Sequence, residues 1–185
     1  MNYKKLVVGC AGAGLLVASA GAAATERAYS VFVGLQTQSY STEWNGYSGE
    51  TDRFRGRGFG ATGAFNDNWG ARFLYYSTSH TDFDLDNKGF EVMGLWGGNL
   101  RREGFKGYVG AGYFSESWEA GGGSVDFSGW LLHVGAGYNW DRWTMDLSMS
   151  LRDGSDYESL MADVYGFGGW TVTPISLGLN VGYRF

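Results

Sequence analysis

The chain ends in Ile175-Ser176-Leu177-Gly178-Leu179-Asn180-Val181-Gly182-Tyr183-Arg184-Phe185, and the reading of this stretch decides the fold. Successive side chains of an extended strand point to opposite faces. Ile175, Leu177, Leu179, Val181, Tyr183 and Phe185 therefore share one face, and Ser176, Gly178, Asn180, Gly182 and Arg184 share the other. Upstream, Trp143, Met145, Leu147, Met149 and Leu151 alternate in the same way with Thr144, Asp146, Ser148, Ser150 and Arg152. A row containing Asp and Arg does not face hydrocarbon, so the polar row points inward and the apolar row outward. That is the period-two pattern of a strand in a transmembrane β-barrel.

Working outward, Leu132, Val134, Ala136, Tyr138 and Trp140 form a third lipid-facing row, which leaves His133 and Asn139 on the lumen side. Phe90, Val92, Gly94, Trp96 and Leu100 suggest a fourth. Weaker segments near 28–40, 53–66, 69–83 and 105–118, blurred by glycines and paired aromatics, bring the expected total to eight strands. Tight turns are expected near 66–68, 101–104 and 140–142, and longer connections near 41–52, 84–88, 119–124 and 153–169. An even strand count places both termini on the short-turn side.

Composition agrees. The chain has 32 glycines and one proline among 185 residues, and 17% aromatics, which suits a closed sheet with dense turns and interfacial aromatic girdles. A mean hydropathy of −0.22 is too low for a helical membrane protein. The length suits one domain.

The N-terminus carries Lys4 and Lys5, followed by an apolar Ala/Gly/Val/Leu run from Leu6 to Gly21. With small residues at Ala22 and Ala24, residues 1–24 are expected to be a cleaved signal peptide and 25–185 the barrel domain. A transmembrane anchor is the competing reading of the run, and its small-residue end favours cleavage. The Val7-Val8-Gly9-Cys10 segment has the wrong arrangement for lipid attachment, because the apolar run continues past the cysteine. Cys10 is the only cysteine, so the part after the cut has no disulfide, thiol catalyst or thiolate metal site. That part keeps 12 of the 14 basic residues and all 19 acidic ones, a formal charge of −7, which argues against a nucleic-acid partner.

The ending Gly182-Tyr183-Arg184-Phe185, preceded by alternating apolar residues, resembles the C-terminal assembly signal of bacterial outer-membrane proteins. With the leader and eight strands, the chain from 25 onward resembles the small barrels typified by Ail, outer-membrane protein X and the transmembrane domain of outer-membrane protein A. The resemblance implies export to the outer membrane of a Gram-negative bacterium. It also implies insertion by the assembly machinery, with Tyr183 and Phe185 as the signal, and contact with outer-membrane lipids and lipopolysaccharide. A non-enzymatic structural or surface role follows from it: envelope stability, adhesion or resistance, through contact with a host or environmental surface.

Eight strands enclose an interior just wide enough for side chains. The inward parity carries Arg72, Glu91, Lys106, Glu116, His133, Asp146 and Arg152, mixed in sign and expected to form a polar and ionic plug. A narrow ion path is the alternative. A transporter for small hydrophobic molecules would need an apolar lumen, which these charges oppose. Arg53, Arg55 and Arg57 share the lipid-facing parity with Phe59, Ala61 and Phe65 near the long-loop end of their strand. Guanidinium forks there suit lipopolysaccharide phosphates. The loop near 153–169 contains Asp153, Asp156, Glu158 and Asp163, whose spacing matches no calcium loop, so no metal or other cofactor is expected. Lipid A-modifying enzymes also use eight-stranded barrels, but neither His80 nor His133 has an evident serine partner on the membrane face, and no catalytic residue is expected.

Overall fold

The computed structural model describes residues 27–185, so the expected signal peptide, 1–24, lies outside the described residues. Eight antiparallel strands close into one barrel. In chain order they are β1 (Tyr29–Trp44), β2 (Tyr47–Ala64), β3 (Trp69–His80), β4 (Asp86–Gly98), β5 (Gly104–Ala120), β6 (Gly123–Asn139), β7 (Trp143–Arg152) and β8 (Trp170–Arg184), with one helix, α1 (Ser155–Tyr165), between β7 and β8. Each strand pairs with its chain neighbours, and β1 pairs with β8 in the register Val33↔Val181, Leu35↔Leu179 and Thr37↔Leu177. Backbone bonds between Tyr29 and Phe185 complete the seam at the end where the chain starts and stops, called here the terminal end.

The outer surface is apolar. Val33, Leu35, Phe59, Phe73, Val92, Val109, Leu132, Leu147 and Leu179 are all exposed, and each lies on the outward parity of its strand. So much exposed aliphatic surface in a continuous belt is stable only against lipid. Trp69, Trp96, Phe105, Trp140 and Trp143 ring the terminal end of that belt, where amphipathic rings suit a membrane interface.

A strand crosses a bilayer with about 9–11 residues. β7 has 10 residues, whereas β1, β2, β5 and β6 have 16 to 18, so the β1–β2 and β5–β6 hairpins project past the belt at the distal end. Here the expected long connections at 41–52 and 119–124 give way to strands joined by two-residue turns, Asn45-Gly46 and Gly121-Gly122. Both residues of each turn have positive φ, the geometry that a tight hairpin requires and that Asn-Gly and Gly-Gly supply. The third distal connection spans 81–85, and the fourth contains α1. Leu100, expected on the lipid row, is instead buried at the terminal end. The strand stops at Gly98, and Asn99 takes a positive φ, which breaks the alternation.

Candidate functional site: lumen network and outer arginine ladder

The seven charged or titratable side chains assigned to the lumen by parity are all inside the barrel. Six are fully buried, and Lys106 is partly so. They fall into two groups along the axis.

In the distal group, Arg152 on β7 crosses to two carboxylates. Its Nε and Nη2 donate to Glu91 Oε1 (3.1 and 2.6 Å), and its Nη1 donates to Glu116 Oε2 (2.7 Å). One cation between two carboxylates leaves a deficit of positive charge, and neutral donors converge on Glu116 to offset it. They are the hydroxyls of Tyr40 (2.7 Å), Tyr76 (2.7 Å) and Tyr157 (2.6 Å), the Trp118 indole N–H (2.9 Å) and the Asn87 amide (3.0 Å). Donation to an ionised carboxylate is about twice as strong as between neutral partners.

Tyr157 comes from α1, not from the wall. The helix starts beside Gly154 and places Asp156 and Glu158 in its first turn, where negative charge is favoured by the helix dipole. Asp156 accepts the Ser128 backbone N–H, and Glu158 accepts that of Val172, which fastens the helix to β6 and β8. Tyr157 then drops into the distal mouth, stacked on Phe127 at 4.2 Å between ring centres, with Tyr40, Phe114 and Trp118 around it. Burial, then the neighbouring Tyr40 and Glu116, holds its hydroxyl well above the usual tyrosine range, so it remains a donor. Together these rings close the distal mouth with apolar surface.

In the terminal group, Asp146 on β7 accepts from Arg72 Nη1 (3.3 Å), Lys106 Nζ (3.1 Å) and Asn180 Nδ2 (3.1 Å). Arg72 Nη1 also donates to the Tyr108 hydroxyl (3.0 Å), and its guanidinium lies over the Phe32 ring at 4.1 Å. Lys106 also donates to Thr144 (2.7 Å).

Between the groups, Ser150 donates to Glu91 (3.2 Å) and lies 2.8 Å from His133 Nδ1. This is a serine-histidine pair whose hydroxyl also faces a carboxylate: when Ser150 donates to Glu91, His133 Nδ1 donates to Ser150, and both residues are buried inside the barrel. His80 is also inward. Its Nδ1 accepts two backbone N–H groups and its Nε2 faces Asp52 at 3.2 Å, with no hydroxyl among these partners. Among the described residues, no three His, Cys, Asp or Glu side chains gather in a metal-binding arrangement.

On the outside, Arg53, Arg55 and Arg57 are exposed and follow one another along β2. Cross-strand pairing places Ser39, Thr37 and Leu35 of β1 beside them, and Ser79 and Ser77 of β3 beside Arg55 and Arg57. Phe59, next on the same row, packs on Tyr75 at the upper edge of the apolar belt. Two carboxylates on neighbouring strands have partners of their own, Glu119 with Lys88 at 2.6 Å and Asp86 with Ser79 at 2.7 Å. At the opposite end, Tyr183 and Phe185 both point outward, and the Phe185 ring stacks on Tyr29.

Sequence parity missed the neutral members: Tyr40, Tyr76, Tyr108 and Asn87. All four lie on inward rows; the first three are accessible to the same reasoning, whereas Asn87 falls in the stretch 84–88 expected to be a connection. Tyr157 was not, because a loop has no alternation to read.

No protein-family model matches the sequence, and no curated protein matches it. Solved structures share its architecture, among them three outer-membrane proteins. OprG from Pseudomonas aeruginosa superposes with a TM-score of 0.54 at 14% identity, over 86% of this chain and 97% of that one. Ail, the attachment invasion locus protein of Yersinia pestis, gives 0.51 at 23%, over 86% and 99%. Neisserial surface protein A gives 0.52 at 14%, over 84% and 97%. Likeness at these identities is one of fold, and the chain has the fold of the small eight-stranded outer-membrane β-barrels.

Proposed function

We propose that this chain is a non-enzymatic protein of the Gram-negative outer membrane, exported by a signal peptide at 1–24. Its closed barrel anchors a projecting distal surface that serves envelope stability, adhesion or resistance. The observation that carries this reading is the filled lumen: Tyr157 and its aromatic neighbours shut the distal mouth, and Arg152, Glu91 and Glu116 bridge the bore beneath them. A permeation path would need those pairs broken, at a cost of several kcal/mol. Planar bilayers containing the folded protein should therefore show no unitary conductance, and cells expressing it should show unchanged lipid A acylation by mass spectrometry. Stepwise conductance, or acylation that depends on His80 or His133, would overturn the proposal.

Within this reading, Arg53, Arg55 and Arg57 bind lipopolysaccharide phosphates. Three fork-shaped cations along one strand, flanked by serine and threonine hydroxyls, match a row of phosphate oxygens at the membrane rim. The outward Tyr183 and Phe185 present the signal read by the assembly machinery. Changing the three arginines to Gln should remove the effect of lipopolysaccharide on folding yield. An equal lipopolysaccharide effect in both proteins would place its binding elsewhere.

A further inference from the structure

The charges paired across the bore are balanced overall but not locally. Taken as ionised, the distal group has one cation for two carboxylates, and the terminal group has two cations, Arg72 and Lys106, for Asp146 alone. The distal excess is met by the tyrosine, indole and amide donors on Glu116. The terminal excess is met by fewer neutral acceptors, the Tyr108 hydroxyl for Arg72 and the Thr144 hydroxyl for Lys106. Arg72 is only 3% exposed, yet its Nε and Nη2 find no hydrogen-bond partner among the described residues. A buried guanidinium with two idle donors is costly unless something accepts from it.

Beside Arg72 lies a cavity of about 20 Å³. Arg27, Lys106 and Arg184 also line it, together with Leu100 and Tyr108. Arg27 is paired with Asp141, and Arg184 donates to the carbonyls of Trp140 and Arg101; both are cations, so neither lessens the positive excess. The space admits one water or one ion of similar size.

We infer that this cavity is a binding site for one small monovalent inorganic anion of the halide class, held by Arg72 and Lys106. The anion supplies the missing negative charge and accepts from the idle guanidinium nitrogens. Nitrate and larger oxyanions, several atoms wide where a halide is a single atom, bind less well. The site lies at the terminal end, beside Tyr29, Asn139 and Arg184, and does not depend on the distal surface.

The test is to crystallise the full protein from sodium bromide and collect anomalous data. A bromide peak within about 3.5 Å of the Arg72 guanidinium is expected. Solvent alone at that position, or bromide only on the outer surface, overturns the inference. In solution, urea unfolding is compared in chloride and gluconate at equal ionic strength. For a Kd of about 10 mM, about 200 mM chloride shifts the folding equilibrium about twentyfold. Lys106→Met leaves Arg72 and Asp146 balanced and should lose this dependence. If K106M folds and keeps the full chloride effect, the site is wrong; if it does not fold, the bromide result on the unaltered protein decides.

Discussion

Replacing Arg152 with Met tests the lumen network most sharply. The side chain is 1% exposed, and methionine occupies a similar length without charge, so the change leaves little empty volume. It leaves Glu91 and Glu116 facing one another across a closed bore without their shared cation. Breaking a buried ion pair by removing one partner costs about 3–5 kcal/mol, and here three donor contacts are lost at once. The opposite deletion should behave differently. Glu91→Gln removes one of the two carboxylates, keeps an oxygen for Arg152 with the amide nitrogen turned to the Ser150 hydroxyl, and leaves one cation opposite one anion, so its cost should stay under about 1 kcal/mol. The R152M/E91Q double variant leaves only Glu116, with its five neutral donors, and should be more stable than R152M alone. The measurement is urea unfolding in lipid vesicles, followed by tryptophan fluorescence and by the mobility difference between boiled and unboiled samples. Equal costs for R152M and E91Q, or costs that simply add in the double variant, would refute the claim that charge pairing closes the bore.

Three further outcomes follow from the same geometry. Tyr157→Phe should cost about 1–2 kcal/mol for the lost bond to Glu116 and Tyr157→Ala about 3–5 kcal/mol, and conductance should stay absent in both because Arg152 still bridges the bore. Leu179→Arg, a neutral change on a water-facing surface, should cost about 2–4 kcal/mol in vesicles, and a smaller loss would mean that β8 does not face the hydrocarbon middle. Gly135→Ala would place a methyl group 2.3 Å from the Tyr108 ring, so it should displace Tyr108 from Arg72 and destabilise by about 1–3 kcal/mol, read as a lower urea midpoint.

The sequence alone made the strands legible because a barrel wall separates lipid from lumen at every residue, so each side chain reports its face. Asp146 and Arg152 are buried while Met145 and Leu151 beside them are exposed, which is the alternation that rule describes. What parity does not carry is pairing across the bore: nothing along the chain tells Arg152 to meet Glu91 and Glu116, which lie on β4 and β5. The rule also fails where the chain leaves the sheet. Leu100 kept its nominal parity until Asn99 turned the backbone, and the run from Asp153 onward gave no sign that a helix would return Tyr157 to the lumen. The expected loops at 41–52 and 119–124 show a different failure. Asn45-Gly46 and Gly121-Gly122 were strong hairpin signals, but polar residues around them on the projecting strand ends resembled loop composition.

Alternation leaves one ambiguity that the lumen charges remove. A slip of one residue between neighbouring strands exposes polar side chains to lipid and is excluded by the apolar belt. A slip of two residues keeps every face correct and moves each side chain by about 7 Å along the strand. For β7 that shift would carry Asp146 away from Lys106 and Arg72, and Arg152 away from both glutamates, while the lipid-facing methionines and leucines would lose little. β7 is the shortest strand and has the fewest backbone pairs to hold its place. It also carries inward both charged residues that reach across the bore, and α1, directly after it, sends Tyr157 back to the same Glu116. The strand least anchored by its ladder is thus the one most anchored by side chains, and the polar interior that fills the barrel also distinguishes its native register from the nearest competitor of the same parity.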